Sequence, residues 1–203
     1  MAGLVLAAGA GRRLGSPKAL VRDPAGIPWV VRAARLLTAA GCSPVVVVVG
    51  AAADEVRAEL DTEPVETVEA TNWPEGMSAS LRTGLTTLSK PDAPSDLGAV
   101  VVVPVDVPGL TEGAVVRVMR EAGAEALVRA TYEGKPGHPV LIGRAHWAGV
   151  IASAHGDEGA RTYLREHRAG KVECGDIANG TDADTVEDLP PGHTPPQDPL
   201  SGT

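Results

Sequence analysis

Phenylalanine is absent from this 203-residue chain, and tyrosine and tryptophan supply only two and three residues. A core without aromatic bulk has to be filled by Val, Leu, Ile and Ala. That suits strands and helices in alternation better than an aromatic-rich β-sandwich. Cysteine is scarce too: Cys42 and Cys174 lie far apart and share no metal-type spacing. This excludes a disulfide framework and a thiolate zinc site, and a reduced, cytoplasmic setting is expected. Basic charge is in deficit, with 18 Lys and Arg against 26 Asp and Glu and a net charge of −8. A general nucleic-acid binder shows the opposite balance, so no nucleic-acid partner is expected. Long apolar runs are missing as well. Residues 3–8 are too short for a signal-peptide core and run into Arg12 and Arg13 in the wrong order. Nothing approaches the length of a membrane span.

What the chain does have is a sequence of short apolar segments. Residues 3–8 (GLVLAA), 44–50 (PVVVVVG) and 98–106 (GAVVVVPVD) are continuous, largely β-branched runs without polar alternation. Central parallel strands covered on both faces read this way. Further strands are predicted over 64–70, 125–132, 138–143 and 171–176. Helices are predicted over 28–41, 53–60, 77–88, 111–123, 144–154 and 158–167, the first with Pro at its start and Gly at its end. Thr111 stands in N-cap position. Residues 90–96 (KPDAPSD) read as a loop. The order βαβαβαβα, then a small β-ribbon, then helices, predicts a three-layer α/β/α sandwich around a mostly parallel, Rossmann-like sheet. One domain is expected over 1–188. A flexible Pro/Gly-rich tail is expected over 189–203.

In such a sheet ligands bind beyond the carboxyl ends of the strands. Two features fall on that edge although they lie far apart in sequence. One is the glycine-rich, basic stretch LAAGAGRRLGSPK at 6–18; the other is Asp106, which closes an apolar strand. Local clustering of Arg12, Arg13 and Lys18 in an acidic protein points to a small anionic ligand. The ATPase loop G-x-x-x-x-G-K-[ST] does not fit, because Gly11 and Gly15 are too close and no Ser or Thr follows Lys18. The dinucleotide fingerprint G-x-G-x-x-G begins at Gly9 and Gly11 but meets Leu14 where the third glycine belongs. The acid expected after the second strand is also missing: Gly50 and three alanines stand there.

The stretch resembles L-A-A-G-x-G-x-R-x-G-x-x-K, the signature loop of the nucleotidyltransferase superfamily that includes sugar-nucleotide and molybdopterin-nucleotide synthases. Further blocks follow in order: NWPEGMSASLRTGL at 72–85, PVDVPGL at 104–110, GKPGHPVLI at 134–142, GDEGAR at 156–161 and DADTVEDL at 182–189. Together they are similar to the molybdenum cofactor cytidylyltransferase subfamily. LAAG, where the guanylyltransferase branch reads LAGG, leans towards cytidine. Val107 and Val186 depart from the pattern, standing where relatives carry a polar residue or Met, and Pro, respectively.

The resemblance implies transfer of CMP from CTP to a molybdopterin-type phosphorylated acceptor, with Mg²⁺ as cofactor and a molybdoenzyme-maturation partner. Implied nucleotide contacts are Leu6, Ala7, Ala8, Gly9, Gly11, Arg13 and Lys18, then Gly76, Ser78 and Ser80, with Ser80 near the base. Arg13 offers a planar fork to the triphosphate and Lys18 a point charge near the α-phosphate. Asp106 is the metal-binding acid. Asp157 is the expected second carboxylate and Asp184 the fallback. Mg²⁺ prefers one or two carboxylates plus phosphate oxygens. Lys135 and His138 are placed on the acceptor side. Local alternatives compete with several of these assignments. Ser78 could be an ordinary N-cap, Asp157 could cap a helix starting at Glu158, and Trp29, Trp73 and Trp147 read as packing residues. Other functions stay open: GTP or a sugar phosphate as substrate, an NAD(P)H-dependent oxidoreductase of the nicotine-blue type, or a non-catalytic carrier of the molybdenum cofactor.

Overall fold

The computed structural model describes residues 1–94 and 96–196. A single seven-stranded sheet runs through it in the order β3-β2-β1-β4-β6-β5-β7. The strands are β1 (Ala2–Leu6), β2 (Val45–Val49), β3 (Glu66–Glu69), β4 (Ala99–Pro104), β5 (Leu127–Tyr132), β6 (Lys135–Gly143) and β7 (Gly170–Glu173). Only β6 runs against the rest, pairing antiparallel with both β4 and β5. The expected ribbon is therefore β5–β6, built into the main sheet.

The valine runs explain the layers. Val45, Val47 and Val49 pack on one face with α1 (Trp29–Ala39), α2 (Ala53–Glu59) and α4 (Glu112–Met119). Val46 and Val48 pack on the other with α3 (Met77–Leu88), α5 (Arg144–Ser153) and α6 (Arg161–Glu166). A strand with a helical layer on each side has no face left for polar residues, which is why the sequence shows no alternation there. Trp147 is buried in the second core and donates its indole N–H to the Ile142 carbonyl at 2.9 Å. Thr111 caps α4, accepting from Ala114 N–H at 3.2 Å. Among the described residues no helix is long and apolar enough to cross a membrane.

Three local expectations change. The helix expected over 158–167 is split into a 3₁₀ turn at Gly156–Glu158 and α6 at Arg161–Glu166. Gly159 breaks it, with φ +56° and its N–H given to Ser78 Oγ at 3.1 Å. Ser78 is therefore no N-cap; Gly76 holds that position. The segment 189–196, expected to be free, is docked. Leu189 packs on the cluster of Leu14, Val21, Trp29 and Ala183. Trp29 donates its indole N–H to His193 Nδ1 at 2.8 Å, and Thr194 bridges to Arg22. The rest of the expected tail, 197–203, and Ser95 of the expected 90–96 loop lie outside the described residues.

The β5–β6 turn is a two-residue hairpin at Glu133 and Gly134, both with positive φ, as tight hairpins require. One carboxylate holds it to β7. Glu173 accepts from Thr131 Oγ1, from the N–H groups of Glu133 and Gly134, and from that of Gly175. These bonds, the Thr131 hydroxyl first, pull its pKa from the ordinary 4.5 down to about 2. A carboxylate depressed on folding contributes stability that is complete above its unfolded pKa and is lost as pH falls through the folded one. Glu173→Gln is therefore expected to lower the Tm at pH 7. Its Tm gap to wild type should close between about pH 4.5 and pH 2 in a pH series of melts.

Candidate active site

A cleft of about 520 Å³ opens beyond the carboxyl ends of β1 and β4, within the size range of small-molecule sites. Its walls come from five segments remote in sequence, one of them the turn at 157–161. The first is the glycine loop, where Leu6, Ala8, Gly9, Gly11, Arg13 and Lys18 all face the cleft. Ala7 does not; strand alternation turns it into the first core. Gly11 has φ +60°, and a Cβ there would lie 1.9 Å from the Ser16 carbonyl oxygen. Only glycine permits that turn. Among the described residues, the N–H groups from Ala8 to Gly11 reach no backbone or side-chain acceptor, so the loop presents a row of free donors. Gly11→Ala is expected to abolish ligand-induced stabilisation in a thermal-shift titration while leaving the circular dichroism spectrum unchanged. The left-handed turn alone costs a non-glycine residue about 1–2 kcal/mol, before the Ser16 contact.

The second wall is the start of α3. Gly76 and Ser80 line the cleft there together with Trp73. Trp73 thus differs from the two buried tryptophans: it is only partly buried, packed on the second core while lining the cleft. Gly76 has φ +105°, and a Cβ would meet Asp157 Oδ1 at 2.3 Å. Ser78 points away from the cleft and pins the Gly159 turn, so it supports the wall from behind.

The third and fourth walls carry the acids. Asp106 stands just beyond β4. The DAD stretch is placed by its middle residue. Ala183 is buried against Leu14, Val21 and Trp29, and its N–H donates to the Asp106 carbonyl at 2.8 Å. Asp182 and Asp184, on either side, both line the cleft. Lys18 Nζ lies 2.8 Å from Asp106 Oδ2 and 2.5 Å from Asp184 Oδ1, and Arg13 holds the other oxygen of Asp184 at 2.8 Å. Burial works against the Lys18 ammonium, but the charges and hydrogen bonds of Asp106 and Asp184 outweigh it and raise its pKa. Asp182 responds the other way. Partial loss of water, then the charges of Asp106 and Asp184, raise it to about 6, against the pull of Lys18 and Arg161.

The structure therefore brings together most residues expected from the sequence and separates others. Asp157 is on the cleft wall, but against Gly76, and among the described residues it forms no ion pair with the Lys18 cation that Asp106 and Asp184 share. It caps no helix, since Ala160 precedes α6. Among the described residues no cluster of three or more His, Cys, Asp or Glu is arranged to hold a metal, so any ion here would rest on one or two carboxylates. Lys135 lies in the exposed hairpin tip, outside the cleft wall. His138 is half-buried behind it, its pKa pushed down to about 4, mainly by burial. Asp182 and Arg161, which the sequence reading did not name, line the cleft, and so does Trp73, expected only to pack. All three sit inside blocks that carry the family resemblance.

The comparisons with known proteins agree with this geometry. Residues 3–172 match the model of the MobA-like NTP transferase domain. A relative from Paenarthrobacter nicotinovorans, named nicotine blue oxidoreductase, is 34% identical over 198 residues, covering 92% of this chain and 93% of that protein. The crystal structure of Rv0371c from Mycobacterium tuberculosis H37Rv superposes with a TM-score of 0.74 at 25% identity, covering 92% of this chain and 94% of that one. Another structure of Rv0371c is a complex with manganese, with a TM-score of 0.71 at 23% identity over 92% of this chain and 94% of that one. A nucleotidyl transferase from Methanothermobacter thermautotroptrophicus shares the fold, with a TM-score of 0.75 at 18% identity over 92% of this chain and 93% of that one.

Proposed function

This chain belongs to the MobA-like NTP transferase family, and from that premise we propose that it transfers CMP from CTP to a molybdopterin-type phosphorylated acceptor, with Mg²⁺ as the metal. The observation that carries this reading is a cleft in which a row of free backbone donors lies beside Lys18, itself held between Asp106 and Asp184.

Transfer asks the protein to align two anions and to neutralise charge as it develops. The N–H groups of Ala8 to Gly11 and the Arg13 guanidinium receive the triphosphate. Leu6, Ala8 and Ser80 border the base. Asp106 and Asp184 would hold the divalent ion, because they already share a cation, the Lys18 ammonium. Asp157, the carboxylate expected beside Asp106, stands against Gly76 and shares no cation with Asp106. When bound, the metal supplies charge neutralisation at the phosphate oxygens. Lys18 then turns from the two carboxylates to the α-phosphate and leaving pyrophosphate. The manganese complex of Rv0371c supports a divalent ion in this fold.

The relative named nicotine blue oxidoreductase favours a second reading, reduction by NAD(P)H. The end of β2 argues against it. A ribose-binding acid belongs there, but Gly50 is closed in, with Ala8 and Trp73 within 3 Å of where its Cβ would lie. A thermal-shift panel separates the two readings. CTP with Mg²⁺ or Mn²⁺ should raise the Tm more than GTP, ATP, UTP or NADPH. A rise with NADPH alone, indifferent to metal, would reverse the order of the two readings.

A further inference from the structure

Towards β5 and β6 stand two arginines that form no ion pair among the described residues: Arg161 on the cleft wall, near enough to act on Asp182, and Arg129 outside the lining, near enough to feel Arg161. Arg129 pairs with Val140 across the sheet, and its neighbours Val128 and Ala130 turn into the first core. Arg129 therefore faces the opposite side, with Leu127 and Val140, beneath α6. Its Nε is buried without a hydrogen-bond partner, and its one bond, to the Gly137 carbonyl, is 3.5 Å long. Arg161, the first residue of α6, lines the cleft and makes no ion pair among the described residues. Two residues beyond the Val102–Val140 pair the strands reach Pro104, on the cleft wall, and His138. His138, outside the lining itself, therefore stands beside Pro104, and Arg129 reaches the carbonyl of its neighbour Gly137. In the same protein Arg22, Arg35, Arg57 and Arg117 all hold carboxylates. Leaving a partly buried guanidinium unpaired, in a chain with a surplus of acid, costs stability.

We propose that Arg129 and Arg161, with His138 beside them, form a second anion subsite that takes a phosphate monoester dianion, the attacking group of the acceptor. Two guanidinium forks match the charge and the three oxygens of such a group. The subsite is separate from the loop of Arg13 and Lys18, which serves the triphosphate. Burial and the two arginines hold His138 neutral, with Asp106 opposing them, so it can donate one ring N–H without adding charge. Assignment of the anion to the acceptor rests on the transferase reading. In that step a monoester oxygen forms a bond to the α-phosphorus. The bond from the α-phosphorus to the bridging oxygen breaks, and pyrophosphate leaves with the electron pair. No proton or redox partner is needed.

The test is calorimetric titration of the full chain with inorganic phosphate at pH 7.5, with sulfate as control. Arg129→Met, Arg161→Gln, Arg129→Lys and Lys18→Met are compared with wild type. Arg129→Met and Arg161→Gln should each weaken phosphate binding about tenfold or more. Arg129→Lys should weaken it less than Arg129→Met. Arg129→Met should also raise the Tm of the free protein by a few degrees, whereas a lowered Tm would make Arg129 a structural residue and overturn the proposal. Should Arg129→Met not fold, Arg161→Gln, at an exposed helix start, decides alone. Wild type that binds no phosphate at millimolar concentration, or binding lost only in Lys18→Met, also overturns it. Failure of the transferase reading looks different: phosphate binding would keep its arginine dependence while no metal-nucleotide pair stabilises the protein.

Discussion

Lys18→Met is expected to lower nucleotidyl transfer about 10³-fold, the scale seen when one preorganised charge is removed from a transition state. The change should be mainly in kcat, because the charge acts most on the leaving pyrophosphate. A second effect distinguishes this role from a structural one. In the free protein the ammonium lies between Asp106 and Asp184, at 2.8 and 2.5 Å. Without it, four carboxylates (Asp106, Asp157, Asp182 and Asp184) line the cleft, and among the described residues only Asp184 keeps an ion pair, with Arg13. The variant should be less stable than wild type in chelator. Mn²⁺ without nucleotide should then raise its Tm more than that of wild type, because no ammonium competes for the site. An equal Mn²⁺ shift in the two proteins would remove Lys18 from the ion-binding scheme.

Asp106→Asn is expected to be as severe, again about 10³-fold or more in turnover, with the fold intact. The side chain is replaced by one of the same shape, and the backbone carbonyl that receives Ala183 N–H is untouched. What disappears is one of two carboxylates on the shared cation. The metal-dependent part of the nucleotide-induced Tm rise should vanish, while a small metal-independent part, from the glycine loop, persists. Asp157→Asn should leave the metal dependence in place, since Asp157 stands against Gly76 and shares no cation with Asp106. Loss of metal dependence in Asp157→Asn, but not in Asp184→Asn, would restore Asp157 as the second carboxylate.

The layered fold was legible because valine runs and amphipathic helices are dictated by burial on two faces and on one. The glycine loop was legible because its spacing is set by backbone geometry that few residues allow. Other features depend on contacts between segments that sequence pattern does not rank. Asp184, and not Asp157, shares the Lys18 cation with Asp106 because buried Ala183 hangs its segment on Asp106 and Trp29, a tertiary anchor no local spacing reveals. The split at Gly159 depends on Ser78, eighty-one residues away. Arg129 reads as a strand residue of no note, and only the register across β6 shows it facing α6 without a partner. The docked stretch 189–196 was hidden by its composition, since proline and glycine suit both a free tail and a strap held by a few side chains.

The most direct measurement is transfer of α-³²P label from CTP to molybdopterin, with pyrophosphate release followed in the same reaction and Mg²⁺ present or chelated. The account predicts labelled product and pyrophosphate in equal amounts, dependent on metal, and abolished in Lys18→Met and Asp106→Asn. Absence of labelled product and pyrophosphate with wild type, beside NADPH oxidation that persists in both variants, would contradict it.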